Sequence, residues 1–172
     1  RELFDWCRAN TAPDAVFLAD FGLSPCLLDN CGRAVILHPK FETPFMRNKV
    51  EQWATALFSE DEKDFYGFCR KNRVDYYIHS RGTWSDTSPY SWRYITNTLS
   101  AQSEQSPLTC FKFEKRPKAL RHFFQVYSSS KYDVFRVITP ALLERSNRLA
   151  GQGTKLLDAD KNEEAQEKFL QA

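Results

Sequence analysis

Apolar residues recur along this chain at two different spacings, and the switches between them predict a mixed α/β fold. ELFDWCRA (2–9) puts Leu3, Trp6 and Cys7 on one helical face. NTAPD then stops that helix, because the residue before a proline avoids the α region. AVFLA (15–19) is a continuous apolar run, the mark of a strand buried on both faces. Ser24-Pro25 predicts an N-cap and first helical position for a short helix ending at Gly32. AVIL (34–37) predicts a second buried strand. Thr43-Pro44 starts another helix, on which Met46, Val50, Trp53, Ala54 and Leu57 form one stripe. Ser59 and Glu62 predict a capping box for a helix with Phe65, Phe68 and Cys69 inward. Lys71 and Arg73 suit the dipole at its C-terminal end. VDYYI (74–78) predicts a third strand.

This first half has the β-α-β-α-α-β pattern of parallel strands with right-handed crossovers and helices on both faces. Ser88-Pro89 predicts a further helix with Trp92, Ile95 and Leu99, and SAQSEQSP (100–107) a polar loop. LTCFKFE (108–114), HFFQVY (122–127) and YDVFRVI (132–138) alternate or run apolar, with SSSK between the last two. They predict an antiparallel addition that closes in a hairpin. The expected fold class is α/β, a three-layer Rossmann-like sheet over residues 1–140.

Residues 141–172 change character: from Glu144 onward Phe169 is the one aromatic residue. With Ala165 at position 20 of a repeat of about 34 residues, Gly153 falls at 8, Leu156 at 11, Phe169 at 24 and Ala172 at 27. Small residues at 8 and 20 let two helices pack closely. This register resembles a tetratricopeptide repeat, and a lone repeat cannot bury its face, so further repeats are expected beyond it.

Composition narrows the partners. Of 172 residues, 42% are hydrophobic, enough for one sizeable core. A net charge of +2 is too balanced to point to nucleic acid, and the clusters RKNR (70–73) and KRPK (115–118) are short. No apolar run approaches the roughly 18 residues of a membrane span. The first residue is Arg1 rather than Met and the last residues are KFLQA, so a piece of a longer chain is expected. The five cysteines, at 7, 26, 31, 69 and 110, form no CxxC pair and no zinc pattern. Cys7 and Cys69 sit on apolar helix faces; Cys26 and Cys31 are close enough in sequence that pairing in an oxidising compartment stays open.

In open parallel sheets ligands sit outside the carboxyl ends of the strands. The residues expected there are Asp20 after the first strand, His38 and Lys40 after the second, and His79 and Arg81 after the third. Glu42 and Arg47 follow in ILHPKFETPFMRNKV (36–50). Two of the chain's three histidines thus fall at one edge. Convergence of Asp20, His38 and His79 on a metal is weighed and set aside, so neither metal nor cofactor is expected. ADFGLSPC lacks a glycine-rich phosphate loop, and GLSPC is not a nucleophile elbow.

The order of features from residue 5 to 138 resembles the soluble region that follows the membrane helices of GT-C type glycosyltransferases. DWCRANTAPDAVFLAD is similar to the start of that region, NRVDYYIHS to its strand, and FFQVYSSSKYDVFRVI to its closing hairpin. GRAVILHPKFETPFMRNKV resembles the protein C-mannosyltransferase segment in which a strand runs into His-Pro-His-Tyr-Glu and an arginine-bearing helix. Gly32, Arg33, His38, Pro39, Glu42 and Arg47 match; Lys40 stands for the second histidine and Phe41 for the tyrosine. Ala19-Asp20-Phe21-Gly22 is similar to the Trp-Trp-Asp-Tyr-Gly motif of the oligosaccharyltransferase catalytic subunit, without its tryptophans.

The resemblance implies a non-catalytic, extracytoplasmic (periplasmic) domain of a polytopic enzyme that uses a lipid-phosphate-linked sugar. It implies as partners the membrane-embedded part of the parent chain, a lipid-linked sugar or an acceptor polypeptide. Asp20, His38, Lys40, Glu42, Arg47 and His79 are the candidate acceptor- or ligand-binding residues. Lys40 and Arg47 suit phosphate oxygens, which arginine matches bidentately. The competing reading is a protein-binding module that joins an α/β domain to repeats. A free-standing small-molecule enzyme working at the same edge is a third.

Overall fold

The computed structural model describes residues 1–40, 42–84 and 108–158, with side chains as far as 152. The chain divides into two compact units, Arg1–Val137 and Ile138–Ala172. The first is built on a five-stranded sheet in the order β2-β1-β3-β5-β4. These strands are β1 (Val16–Leu18), β2 (Ala34–Val35), β3 (Tyr76–Ser80), β4 (Phe123–Ser128) and β5 (Tyr132–Val137). β1 runs parallel to β2 and β3, and β5 runs antiparallel to β3 and β4. Parallel strands first and an antiparallel hairpin last is the arrangement the sequence predicts.

Two buried clusters, one on each face of the sheet, make three layers. On one face α1 (Glu2–Asn10) and α2 (Leu23–Cys31) bring Leu3, Cys7, Leu23 and Leu27 against Phe17, Tyr76, Ile78 and Val134. On the other lie α3 (Pro44–Leu57), α4 (Glu62–Lys71) and α5 (Thr109–Lys115). They bring Trp53, Leu57, Phe65, Phe68 and Phe113 against Leu18, Tyr77, Phe123 and Phe135. Successive strand residues point to opposite faces; Tyr76 and Tyr77 accordingly belong to different layers. Phe113 contacts the rings of Phe65, Tyr77, Phe123 and Phe135 at 4.7–5.5 Å between centroids, edge to face.

Several local expectations are corrected. LTCFKFE is α5, not a strand. Thr109 and Cys110 recur with Phe113 at helical spacing, all three are fully buried, and Lys112 turns outward to the Glu60 carbonyl. A seven-residue apolar segment fits both periods, and packing over Tyr77 and Phe135 decides for the helix. α2 begins at Leu23, so Ser24 is inside it and donates to the Asp20 carbonyl at 2.9 Å. α4 is capped by Asp61, whose carboxylate accepts from Lys63 N, while Glu62 turns away to Arg121 and His122. β2 is not buried on both faces: it is a two-residue edge strand with Ala34 exposed. Thr43 caps α3 as predicted, accepting from Met46 N with Pro44 at the first position.

The second unit contains α6, Pro140–Asp158, which continues through Gly151 and Gly153 without a break. The helix predicted from Ser88-Pro89, the polar loop 100–107 and the second half of the repeat register lie outside the described residues. Among the described residues no helix is long and apolar enough to cross a membrane.

Candidate functional site

The turn from β1 into α2 is built around Asp20. One carboxylate oxygen accepts from Leu23 N at 3.0 Å and the other from Ser80 Oγ at 2.6 Å. Asp20 thereby ties the end of β1 to the end of β3, sixty residues on. An added Cβ at Gly22 would lie 3.5 Å from Asp20 Oδ1, so the turn passes close over the carboxylate. Its charge is felt across the sheet: burial, then Asp20 and Cys26, raise the Tyr132 phenol above its ordinary value.

After β2 the chain buries Leu37 completely and then opens. His38 Nδ1 accepts from Lys40 N at 3.2 Å, which makes His-Pro-Lys a self-bonded turn. Arg47 NH1 donates to the Glu42 carbonyl at 3.2 Å across the start of α3. Lys40, Glu42 and Arg47 are exposed and His38 is half-buried. Next to them Phe45 is 69% exposed, with Lys49 Nζ 4.7 Å from its ring centroid. Phe41 lies outside the described residues.

His79 does not join this edge. β3 extends to Ser80, two residues further than predicted, and carries His79 into the core on the same face as Tyr77. Its Nδ1 lies 3.4 Å from the Tyr77 hydroxyl and its Nε2 3.4 Å from Glu114 Oε2. The same glutamate oxygen accepts from Gly82 N at 3.2 Å. The hydrogen bond from His79 holds the Glu114 carboxyl below its ordinary value, against the opposing effect of burial. Among the described residues no group of three His, Cys, Asp or Glu side chains is placed to hold a metal ion, so Asp20, His38 and His79 do not form one.

Sequence reasoning placed Arg81 at a strand end and matched Arg33 by resemblance, but missed the partners of both. Arg81 grips the buried Asp133 with two bonds of 2.8 and 2.7 Å and donates to Ser128 Oγ at 2.8 Å. Gln125 Nε2 also donates to Asp133, at 2.9 Å. Polar residues in the predicted strand YDVFRVI carried the available signal, since an aspartate on a buried strand needs partners. Arg33 is 8% exposed and donates to the carbonyls of Arg8, Thr11 and Cys31, locking the ends of α1 and α2 together. An open groove of about 780 Å³ between α3 and α4 is lined by Asn48, Gln52, Phe58, Asp64, Phe68 and Lys71 and contains none of the six candidates.

Comparisons with known proteins bear on this geometry. The model of a family described as "Dpy19: Q-cell neuroblast polarisation" matches residues 1–137. No curated protein matches the chain. Two crystal structures of the C-terminal globular domain of oligosaccharyltransferase from Archaeoglobus fulgidus share the fold. The first has a TM-score of 0.60 at 15% identity and covers 79% of this chain and 94% of that one. The second has a TM-score of 0.50 at 16% identity and covers 80% and 93%.

Proposed function

Because the chain belongs to the Dpy19 family, a C-mannosyltransferase family, we propose that its α/β unit serves a membrane glycosyltransferase from outside the catalytic centre. In this reading it is the extracytoplasmic, non-catalytic domain of a polytopic enzyme using a lipid-phosphate-linked sugar donor. The observation that carries it is the extent of the family match, 1–137, which coincides with the whole first compact unit and stops at the last residue of β5.

The edge formed by Asp20 and the 38–47 segment faces the membrane-embedded part of the parent chain in this proposal. Asp20, with both oxygens engaged internally, shapes the edge. Lys40 and Arg47 present charge to a donor phosphate or an acceptor polypeptide, and Arg47 sits in the first turn of α3, whose dipole favours an anion. His79 is removed from the set of contact residues by its burial.

The test uses the full parent enzyme with a lipid-linked donor. Lys40→Ala combined with Arg47→Ala is expected to lower kcat/KM about tenfold, the equivalent of about 1.4 kcal/mol, with expression unchanged. Sugar transfer by the 172-residue chain alone would sink the non-catalytic assignment.

A second reading concerns the second unit. Unbroken α6 is long enough to be the first helix of a tetratricopeptide repeat, with Gly153 and Leu156 on it. It supports a role for this unit in holding a protein partner, tested by partner capture with and without residues 141–172.

A further inference from the structure

All five cysteines carry free thiols, but two of them are neighbours. Cys7 on α1 is fully buried and Cys31, the last residue of α2, is 6% exposed. The Cys31 Sγ lies 3.6 Å from the Phe4 carbonyl, one turn before Cys7 on α1. Both thiols belong to one buried cluster on this face of the sheet, and each acts on the other's ionisation. Cys26, which sequence proximity offered as a partner for Cys31, is exposed and lies against its own helix, 3.7 Å from the Gly22 carbonyl.

We infer that Cys7 and Cys31 are a dithiol site that takes a disulfide-class oxidant and closes into a bridge between α1 and α2. Burial pushes the Cys7 thiol up to about 12 and raises that of Cys31, so exchange runs through a small thiolate fraction that grows with pH. Cys31 retains some exposure, and the Arg8 and Arg33 guanidiniums beside it favour its thiolate, offsetting part of the effect of burial. Arg33 cannot drift away, because its bonds to the Arg8, Thr11 and Cys31 carbonyls fix it there.

The steps balance as follows. Cys31 thiolate attacks one sulfur of oxidised glutathione, expelling a glutathione thiolate and leaving glutathione on Cys31. Cys7 thiolate then attacks Cys31 Sγ and expels the second glutathione. The two protons lost by the cysteines end on two glutathione thiols, and the two electrons go to the glutathione disulfide. The bridge encloses β1 and most of α2, so it constrains that stretch of the unfolded chain.

The purified chain is treated with oxidised glutathione, both folded and during refolding from urea, then alkylated under denaturing conditions and weighed. Three alkylatable cysteines (Cys26, Cys69 and Cys110) are expected in place of five, with a reducible Cys7–Cys31 peptide pair. Cys7→Ala should stop the reaction at glutathione on Cys31. The oxidised chain should melt about 5–10 °C higher than the reduced one, a gap that Cys31→Ala removes. Five alkylatable cysteines in both arms, or a bridge containing Cys26, overturns the inference. Neither outcome depends on the glycosyltransferase reading.

Discussion

Two polar regions border the strand ends, and they spend their hydrogen bonds differently. Around the end of β3, the bonds reach far along the chain: His79 to Glu114, Arg81 to Asp133 and Ser128, Ser80 to Asp20. Between β2 and α3, the bonds of Lys40 to His38 and of Arg47 to the Glu42 carbonyl span two and five residues. Long-range bonds between buried groups hold elements in register and cost stability when broken. Short-range bonds on exposed side chains shape a surface and leave charge facing outward. The first region is architecture; the second keeps Lys40, Glu42 and Arg47 exposed.

The sharpest way to break this contrast is Asp133→Ala, which strips partners from Arg81 and Gln125 at a site 1% exposed. A loss of about 2–3 kcal/mol is expected from urea unfolding followed by tryptophan fluorescence. Glu114→Gln comes next, at about 1–2 kcal/mol near neutral pH. Its folded carboxyl titrates below the ordinary 4.5, so its contribution is complete above that value and fades as pH falls through the folded one. The variant should therefore show a flatter acid limb as pH falls below 4.5, and an unchanged limb would remove Glu114 from the architecture. Asp20→Ala should cost about 1 kcal/mol and Asp20→Asn a few tenths, since the amide can still accept from Leu23 N. Smallest of all, Lys40→Ala and Arg47→Ala should stay within about 0.5 kcal/mol of the parent stability. A cost above about 1 kcal/mol for either would make the proposed recognition surface a structural one.

The sequence announced the parallel half of the sheet because its strands are short apolar runs bounded by punctuation such as Asn10-Thr11-Ala12-Pro13 and Gly32. It announced α3 and α4 because the stripes from Met46 to Leu57 and Phe65 to Cys69 repeat at helical spacing. α5 was not legible, since its seven residues suit either period and packing across the sheet chose between them. The strand-end rule placed Asp20, His38 and Lys40 at the edge, and the family resemblance added Glu42 and Arg47. His79 was misplaced by two residues of strand, a boundary that its own sequence does not mark: pairing with β5, which matches His79 to Asp133, extends it. Arg81 and Asp133 meet across that same pairing, and no local pattern specifies a partner 52 residues away. Cys7 and Cys31 stayed apart on paper for the same reason, because only the docking of α1 on α2 brings them together.

The strand order β2-β1-β3-β5-β4 also sets a timetable. β4 and β5 are joined by a turn in which Ser129 and Tyr132 exchange hydrogen bonds, so this hairpin can close on the microsecond scale. β1 must wait for β3: the bond from Val16 N to the Asp75 carboxylate spans 59 residues and needs three helices in between. Closing so long a span carries its entropy cost before any contact rewards it. β3 is thus the seam where a fast local half meets a slow distant one, and a newly made chain would expose the apolar face of β1 until β3 emerges.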